Sequence, residues 1–299
     1  MAQSAVTVKV GARTLKLTNL DKVLYPETGF TKGEVIDYYA SVADVILPRL
    51  GDRLLTRKRW PDGTGAQPFF EKNAPRGTPD WVRTVFMAEH GDNGVRYVVA
   101  DDLPVLVWLA NLAALELHVP QWKVGPRGGQ RDADLIVFDL DPGEPATIVD
   151  CCAVAVALRA RLAADGLTAY AKSSGKKGVH LYAPIEPAHS ADVSTYAHRL
   201  ADELAKEQPD AIVSMMDRRL RRGKVFIDWS QNNAAKTTIA AYSLRGAEQP
   251  TVSTPLTWDE VERAEQIQDL VFLAPEVVQR VQDHGDLLAD MDDRRAPLP

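Results

Sequence analysis

Hydrophobic and polar positions change period along the chain, and the changes mark out its elements. Val6, Val8 and Val10 alternate with polar residues as a half-buried strand does. Thr31 with Glu34 three residues on has the form of a capping box, predicting a helix over 32–47 that ends at Pro48. Strand periodicity returns over 95–99, followed by a long apolar run that predicts a helix over 103–117, with His118 at its end. A glycine-rich loop over 125–131 leads into an apolar strand within 134–143, closed by Pro142-Gly143. Beyond it the pattern predicts a helix over 147–164, a turn at Asp165-Gly166, a strand over 167–171, a Ser/Gly/Lys loop and a returning strand that places His180 and Tyr182 on one face. A helix over 190–206, a strand from Val225 ending at Asp228, a strand over 237–242, acidic helices over 257–295 and a free tail over 294–299 complete the reading.

The strand within 134–143 carries the first candidate chemistry. Asp139 and Asp141 are two apart, so a strand projects both carboxylates from the same face. Such a pair either ends a strand or, because close like charges repel, holds a hard divalent cation whose preferred donors are oxygens. Asp228, at the end of the apolar strand Val225-Phe-Ile-Asp228, is the candidate third ligand. The loop Ser174-Gly-Lys-Lys-Gly178 allows a tight turn with backbone N–H groups and two lysines turned towards a phosphate, although its spacing is not that of a Walker loop. Arg245 beside Gly246 can clamp a phosphate with two N–H groups. Phe69 and Phe70 beside Arg57-Lys58-Arg59 can be core, or a platform for an unpaired base.

Composition narrows the class. The chain has 299 residues, 45% of them hydrophobic, enough for one large domain or two packed ones. No stretch approaches a membrane span, and the opening Met-Ala-Gln-Ser-Ala-Val-Thr-Val lacks a signal core, so a cytoplasmic location is expected. Cys151 and Cys152 are adjacent in an apolar helix and read as core. The net charge of −6 argues against nucleic acid only until it is placed. Residues 251–299 hold 11 acidic and 4 basic side chains, leaving the rest nearly neutral with basic clusters at 57–59, 172–177 and 218–224.

Three strand-borne aspartates, a Ser/Gly/Lys loop, a strand histidine and an arginine are the parts of metal-dependent nucleotidyl transfer. Asp139-Leu-Asp141, Ser174-Gly-Lys-Lys-Gly-Val-His180 and Phe226-Ile-Asp228-Trp-Ser-Gln231, in this order, resemble the polymerase domain of bacterial multifunctional DNA ligase D, within the archaeo-eukaryotic primase superfamily. Leu24-Tyr-Pro26, Thr56-Arg-Lys-Arg-Trp-Pro61, Glu116-Leu-His-Val-Pro-Gln-Trp122 and Tyr242-Ser-Leu-Arg-Gly246 match as well, so the resemblance runs from about Leu15 to Leu288. It implies an α/β (α+β) primase-like fold with a central mixed or antiparallel sheet flanked by helices. Residues 1–299 would form one domain, possibly as two packed lobes: 1–125, and a catalytic core over 126–250 with the acidic segment 251–299.

The resemblance also implies roles. Asp139, Asp141 and Asp228 would be the catalytic triad holding two Mn2+ or Mg2+ ions. Ser174, Lys177 and Arg245 would bind a triphosphate, His118 and Gln231 would contact sugar or phosphates, and His180 belongs to the same motif. Phe69 and Phe70 would stack on the template, and Asn19, Lys22, Lys32 and Lys58 would recognise a 5′-phosphate. Arg221 would sit on a mobile loop. The expected substrates are gapped or broken DNA with NTP or dNTP, the expected partners Ku and an ATP-dependent DNA ligase, and the expected setting a monomer at the bacterial nucleoid. The chain would be an excised domain or a stand-alone actinobacterial form. Two rival readings remain: a haloacid-dehalogenase-like phosphatase with Asp139 as nucleophile and Asp141 as general acid, and a non-catalytic DNA-end scaffold.

Overall fold

The computed structural model describes the backbone of residues 5–90 and 93–299. Residues 1–4, read above as free of a signal core, lie outside the described residues. The chain opens with an antiparallel ribbon, β1 (Ala5–Val10) and β2 (Arg13–Thr18), and a shorter one, β3 (Val23–Tyr25) and β4 (Phe30–Thr31). The predicted capping box forms: Thr31 accepts from Glu34 N, and the Glu34 side chain accepts from Thr31 N. The helix it starts is interrupted, however. α1 (Lys32–Ser41) breaks at Val42, and α2 (Ala43–Leu50) runs through Pro48. Each short helix turns its own apolar residues, among them Tyr38, Tyr39, Ile46 and Leu50, into one core.

β5 (Thr56–Arg59), β6 (Phe69–Glu71), the hairpin β7 (Thr84–His90) and β8 (Asn93–Val98), and α3 (Leu103–Asn111) follow. The helix expected over 103–117 therefore stops at Asn111. Ala113 takes a left-handed backbone (φ 56°) and the apolar run continues as β9 (Ala114–Val119). A continuous apolar run carries no period that separates helix from strand. Pairing with β5 decides it, since Thr56 lies opposite His118 and Lys58 opposite Glu116.

Then come β10 (Trp122–Val124), the long β11 (Gln130–Pro142), α4 (Ile148–Ala164), β12 (Tyr170–Ser173), β13 (Val179–Ala188) and α5 (Ser190–Glu207). The chain ends with β14 (Ile212–Val213), β15 (Val225–Asp228), β16 (Thr238–Ile239), β17 (Pro255–Leu256), α6 (Trp258–Arg263) and α7 (Ala274–His284). The strand expected to end at Asp228 does so, and residues 229–232 wind into a 3-10 turn. The strand over 237–242 is reduced to β16. Strand periodicity over 167–171 moves to β12, and the acidic C-terminal segment holds α6, α7 and 3-10 turns. Residues 294–299 are not a free tail, because Ala296 bridges Ile185 and its carbonyl accepts from Glu186 N at 2.9 Å.

The central sheet has the order β14-β15-β11-β13-β12-β17, with β10 also paired to β11, and every pair is antiparallel except β14 with β15. A second sheet, β16-β9-β5-β6, packs beside it. β11 is apolar on both sides because both are covered. Ile136, Phe138 and Leu140 face the core formed with α4 and α5, where Cys151 and Cys152 are buried and free, and Leu135 and Val137 face the core formed with α1, α2 and α3. Period-two alternation carries the second face on to Asp139 and Asp141. The carboxylates thus emerge where the N-terminal core stops and a cleft between the two sheets begins.

Candidate active site

Register builds the centre of the site. Asp139 lies opposite Asp228 of β15 on one side and His180 of β13 on the other, and Lys172 of β12 lies opposite His180. Four polar residues therefore cross the sheet in one row, with Asp141 one step further along β11. His180 Nε2 stands 3.2 Å from Asp139 Oδ1, and among the described residues its buried Nδ1 has no partner. Burial opposes ionisation of Asp139, but this imidazole outweighs it and holds the carboxyl below the usual range. Among the described residues Asp141 has no such donor: burial, Asp139 and Asp228 push it up to about 7, against Arg221 and Arg245.

Among the described residues no three His, Cys, Asp or Glu side chains converge as a metal-holding group. Asp228 is engaged within its own turn: its Oδ1 accepts from Ser230 N at 3.0 Å and from the Ser230 hydroxyl, while its Oδ2 accepts from Gln231 Nε2 at 2.8 Å. The donor chemistry nevertheless fits a hard divalent cation: crowded carboxylate oxygens, one of them forced towards its protonated form by repulsion that a cation would remove.

The cleft over this row has a volume of about 330 Å3 and is walled by His118, Asp139, Asp141, Ser174, Lys177, His180, Gln231 and Arg245, with Lys176 and Thr237 to Ile239. Every nucleotide-binding candidate is thus in one place. The Ser/Gly/Lys loop differs from expectation in one respect. Lys176 N and Gly178 N donate to Ser174 Oγ at 3.3 and 3.1 Å, so the hydroxyl, rather than open solvent, satisfies them. A Cβ at Gly178 would stand 2.1 Å from the Leu140 carbonyl, which is why the turn needs glycine there. Lys177 remains largely exposed, 3.3 Å from Glu144.

The DNA-contact candidates divide into two groups. Asn19 (φ 53°), Lys22 and Lys32 form one, tied by Lys22 N to Asn19 O at 3.1 Å and Lys32 N to Lys22 O at 2.8 Å. Lys32 is buried and donates to Thr18 O at 2.7 Å; burial, Lys22 and Arg59 lower its pKa to about 8, as in a pocket short of negative charge. Lys58 stands with the second group, over the rings of Trp60 and Phe70, and Phe70 lies edge-on to His118. Phe69 and Phe70 are not core: they are 43% and 63% exposed. Phe70→Ala is expected to leave the unfolding midpoint unchanged and to weaken binding of template strand by about 1–3 kcal/mol, measurable by fluorescence anisotropy. Arg221 lies over the Phe226 ring at 3.6 Å and donates to Met216 O at 2.9 Å. Its carbonyl packs so closely on Gly143 that a Cβ there would come within 1.9 Å.

Glu116 was missed by sequence reasoning. It is 1% exposed and contacts His118, Lys176, Arg245 and the N–H of Gly246. The only sequence signal was the alternation Glu116-x-His118, and the expected helix put those two on different faces.

The LigD primase-polymerase domain family matches residues 31–288. The multifunctional non-homologous end joining protein LigD of Mycolicibacterium smegmatis is 47% identical over 93% of this chain, and the bifunctional LigD of Bacillus subtilis is 33% identical over 91%. The chain spans 36% and 43% of their respective lengths. The solved polymerase domain of Mycobacterium tuberculosis ligase D in complex with DNA superposes with a TM-score of 0.89 at 43% identity, covering 94% of this chain and 99% of that one. The mixed sheet, the two-sided central strand and these matches make the chain a member of the LigD primase-polymerase domain family.

Proposed function

We propose that the chain is a template-directed DNA repair nucleotidyltransferase. It would add a ribonucleotide or deoxyribonucleotide to a primer 3′-hydroxyl at short gaps or broken ends bearing a 5′-phosphate. The observation that carries this reading is Asp139, Asp141 and His180 lining one cleft with Lys176, Lys177 and Arg245, with Asp228 paired opposite Asp139 on the neighbouring strand.

Asp139 and Asp141 would hold the divalent ions, two Mg2+ or Mn2+, with Asp228 joining once released from Ser230 and Gln231. Bound ions would supply charge for the attacking and leaving oxygens. His180 would keep Asp139 ionised and oriented through the 3.2 Å contact of its Nε2 with Oδ1. Ser174, Lys177 and Arg245 would take the triphosphate, with His118 and Gln231 beside them. Asn19, Lys22 and Lys32 would form the 5′-phosphate pocket, while Lys58, Phe69 and Phe70 would meet the template. Arg221, whose charge acts on Asp141, would adjust the primer end. The two adjoining cores support residues 1–299 acting as one domain of two packed lobes. No helix of the described residues is long and apolar enough to cross a membrane. A nucleoid setting, action as a monomer, and work with Ku and an ATP-dependent ligase complete the proposal.

The test is extension of a labelled primer across a one-nucleotide gap with or without a 5′-phosphate, using rNTP or dNTP with Mn2+, Mg2+ or EDTA. The expected result is a single addition that needs the cation and is stimulated by the 5′-phosphate. Gapped DNA bound without addition under any cation would replace this reading by the scaffold. Hydrolysis of a phosphomonoester without extension would replace it by the phosphatase.

A further inference from the structure

The two oxygens of Glu116 do different work. Oε1 faces donors only: Gly246 N at 3.1 Å, Arg245 Nε at 3.5 Å and Lys176 Nζ at 3.7 Å. Oε2 faces His118 Nε2 at 2.9 Å. Burial works against the charge on Glu116, but His118, Arg245 and Lys176 outweigh it and bring the carboxyl down to about 2, so it is ionised at neutral pH. An ionised carboxylate only accepts, so the hydrogen in the 2.9 Å contact belongs to Nε2. Burial, Arg245 and Lys58 also outweigh Glu116 and lower the pKa of His118, leaving a neutral ring. Its second nitrogen, Nδ1, is then a bare lone pair. Among the described residues Nδ1 has no protein partner and is not sealed off, and the ring forms part of the cleft wall.

We infer that Glu116 is a positioning residue that fixes His118 as the Nε2–H tautomer, so that a nucleotide in the cleft meets an acceptor at Nδ1, which takes a sugar hydroxyl and repels a phosphate oxygen. The inference rests on the cleft being the nucleotide site. It divides the labour within that site: Lys176, Lys177 and Arg245 are left to the phosphates, and His118 to the ribose.

Glu116→Gln tests it without changing shape. With the amide oxygen kept at the Oε1 position, where three donors converge, the NH2 group falls opposite His118 Nε2. That nitrogen must then accept, and the proton moves to Nδ1. The opposite rotamer would set NH2 against Gly246 N–H and two cations. The substitution therefore turns an acceptor facing the cleft into a donor.

Two measurements read this out. In the 15N-histidine-labelled chain at pH 7.5, with His118 assigned by loss of its signal in His118→Gln, the wild type is expected to show the Nε2–H tautomer and Glu116→Gln the Nδ1–H tautomer. In gap filling with ATP, 2′-dATP and 3′-dATP, removing the recognised hydroxyl is expected to raise the wild-type KM about tenfold or more, the effect of one lost hydrogen bond in a buried site. In Glu116→Gln that penalty disappears because the KM for ATP has risen to the same level, while kcat changes less. An Nδ1–H or doubly protonated His118 in the wild type would overturn the inference, as would undiminished hydroxyl discrimination in Glu116→Gln. If the wild type incorporates no nucleotide, the polymerase reading has failed. The tautomer spectra then still decide the positioning role of Glu116.

Discussion

Asp139→Asn is expected to reduce nucleotide addition by on the order of 10³-fold or more while the protein stays folded. Cation-mediated charge stabilisation in such sites is worth several kcal/mol, and each 1.36 kcal/mol is about tenfold in rate. The fold should not suffer, because asparagine keeps an oxygen for His180 Nε2 and one of three mutually repelling carboxylates is gone. Single-turnover gap filling and thermal unfolding, run on the same preparation, check both halves. A variant that retains a tenth of the wild-type rate would remove Asp139 from the chemistry. A variant that loses its structure would show instead that the row is held together by its charges.

The second large effect lies away from the cleft. Asp134, on β11, is 6% exposed and accepts from Arg53 at 2.7 Å, with Arg295 at 3.4 Å and Lys123 at 3.7 Å. Arg53 is itself buried and donates otherwise to Pro120 O at 3.1 Å. Removing the carboxylate leaves an uncompensated buried guanidinium and releases the segment that Arg295 anchors, so Asp134→Ala is expected to cost roughly 3–5 kcal/mol. For a chain of this size that corresponds to a fall of roughly 6–10 °C in Tm. Arg53→Met added to Asp134→Ala should recover part of the loss, since the stranded charge is then gone as well. Calorimetry on Asp134→Ala, Arg53→Met and the double variant measures it. Additive losses in the double variant would show that the two side chains do not act as a pair.

Much of the molecule was legible in its sequence wherever the cause is local. The capping box at Thr31, the alternation that puts Asp139 with Asp141 and His180 with Tyr182, and the burial of Cys151 and Cys152 depend on neighbours a few residues away. The ordered motifs were specific enough to point to the family that the comparisons then showed. Where the reading failed, a distant partner decided. Residues 114–119 are a strand because β5, far upstream, supplies the other half of the ladder, and the tail is docked because Ile185 and Asp134 receive it. The role of Glu116 was hidden for the same reason: only the β9 pairing puts it on the face of His118, and only the fold brings Arg245 and Gly246 to it. Sequence by itself determined which residues bear the chemistry and in what local phase. Tertiary structure alone decided which of them meet, because strand pairing and buried charge neutralisation join positions that no short-range pattern connects.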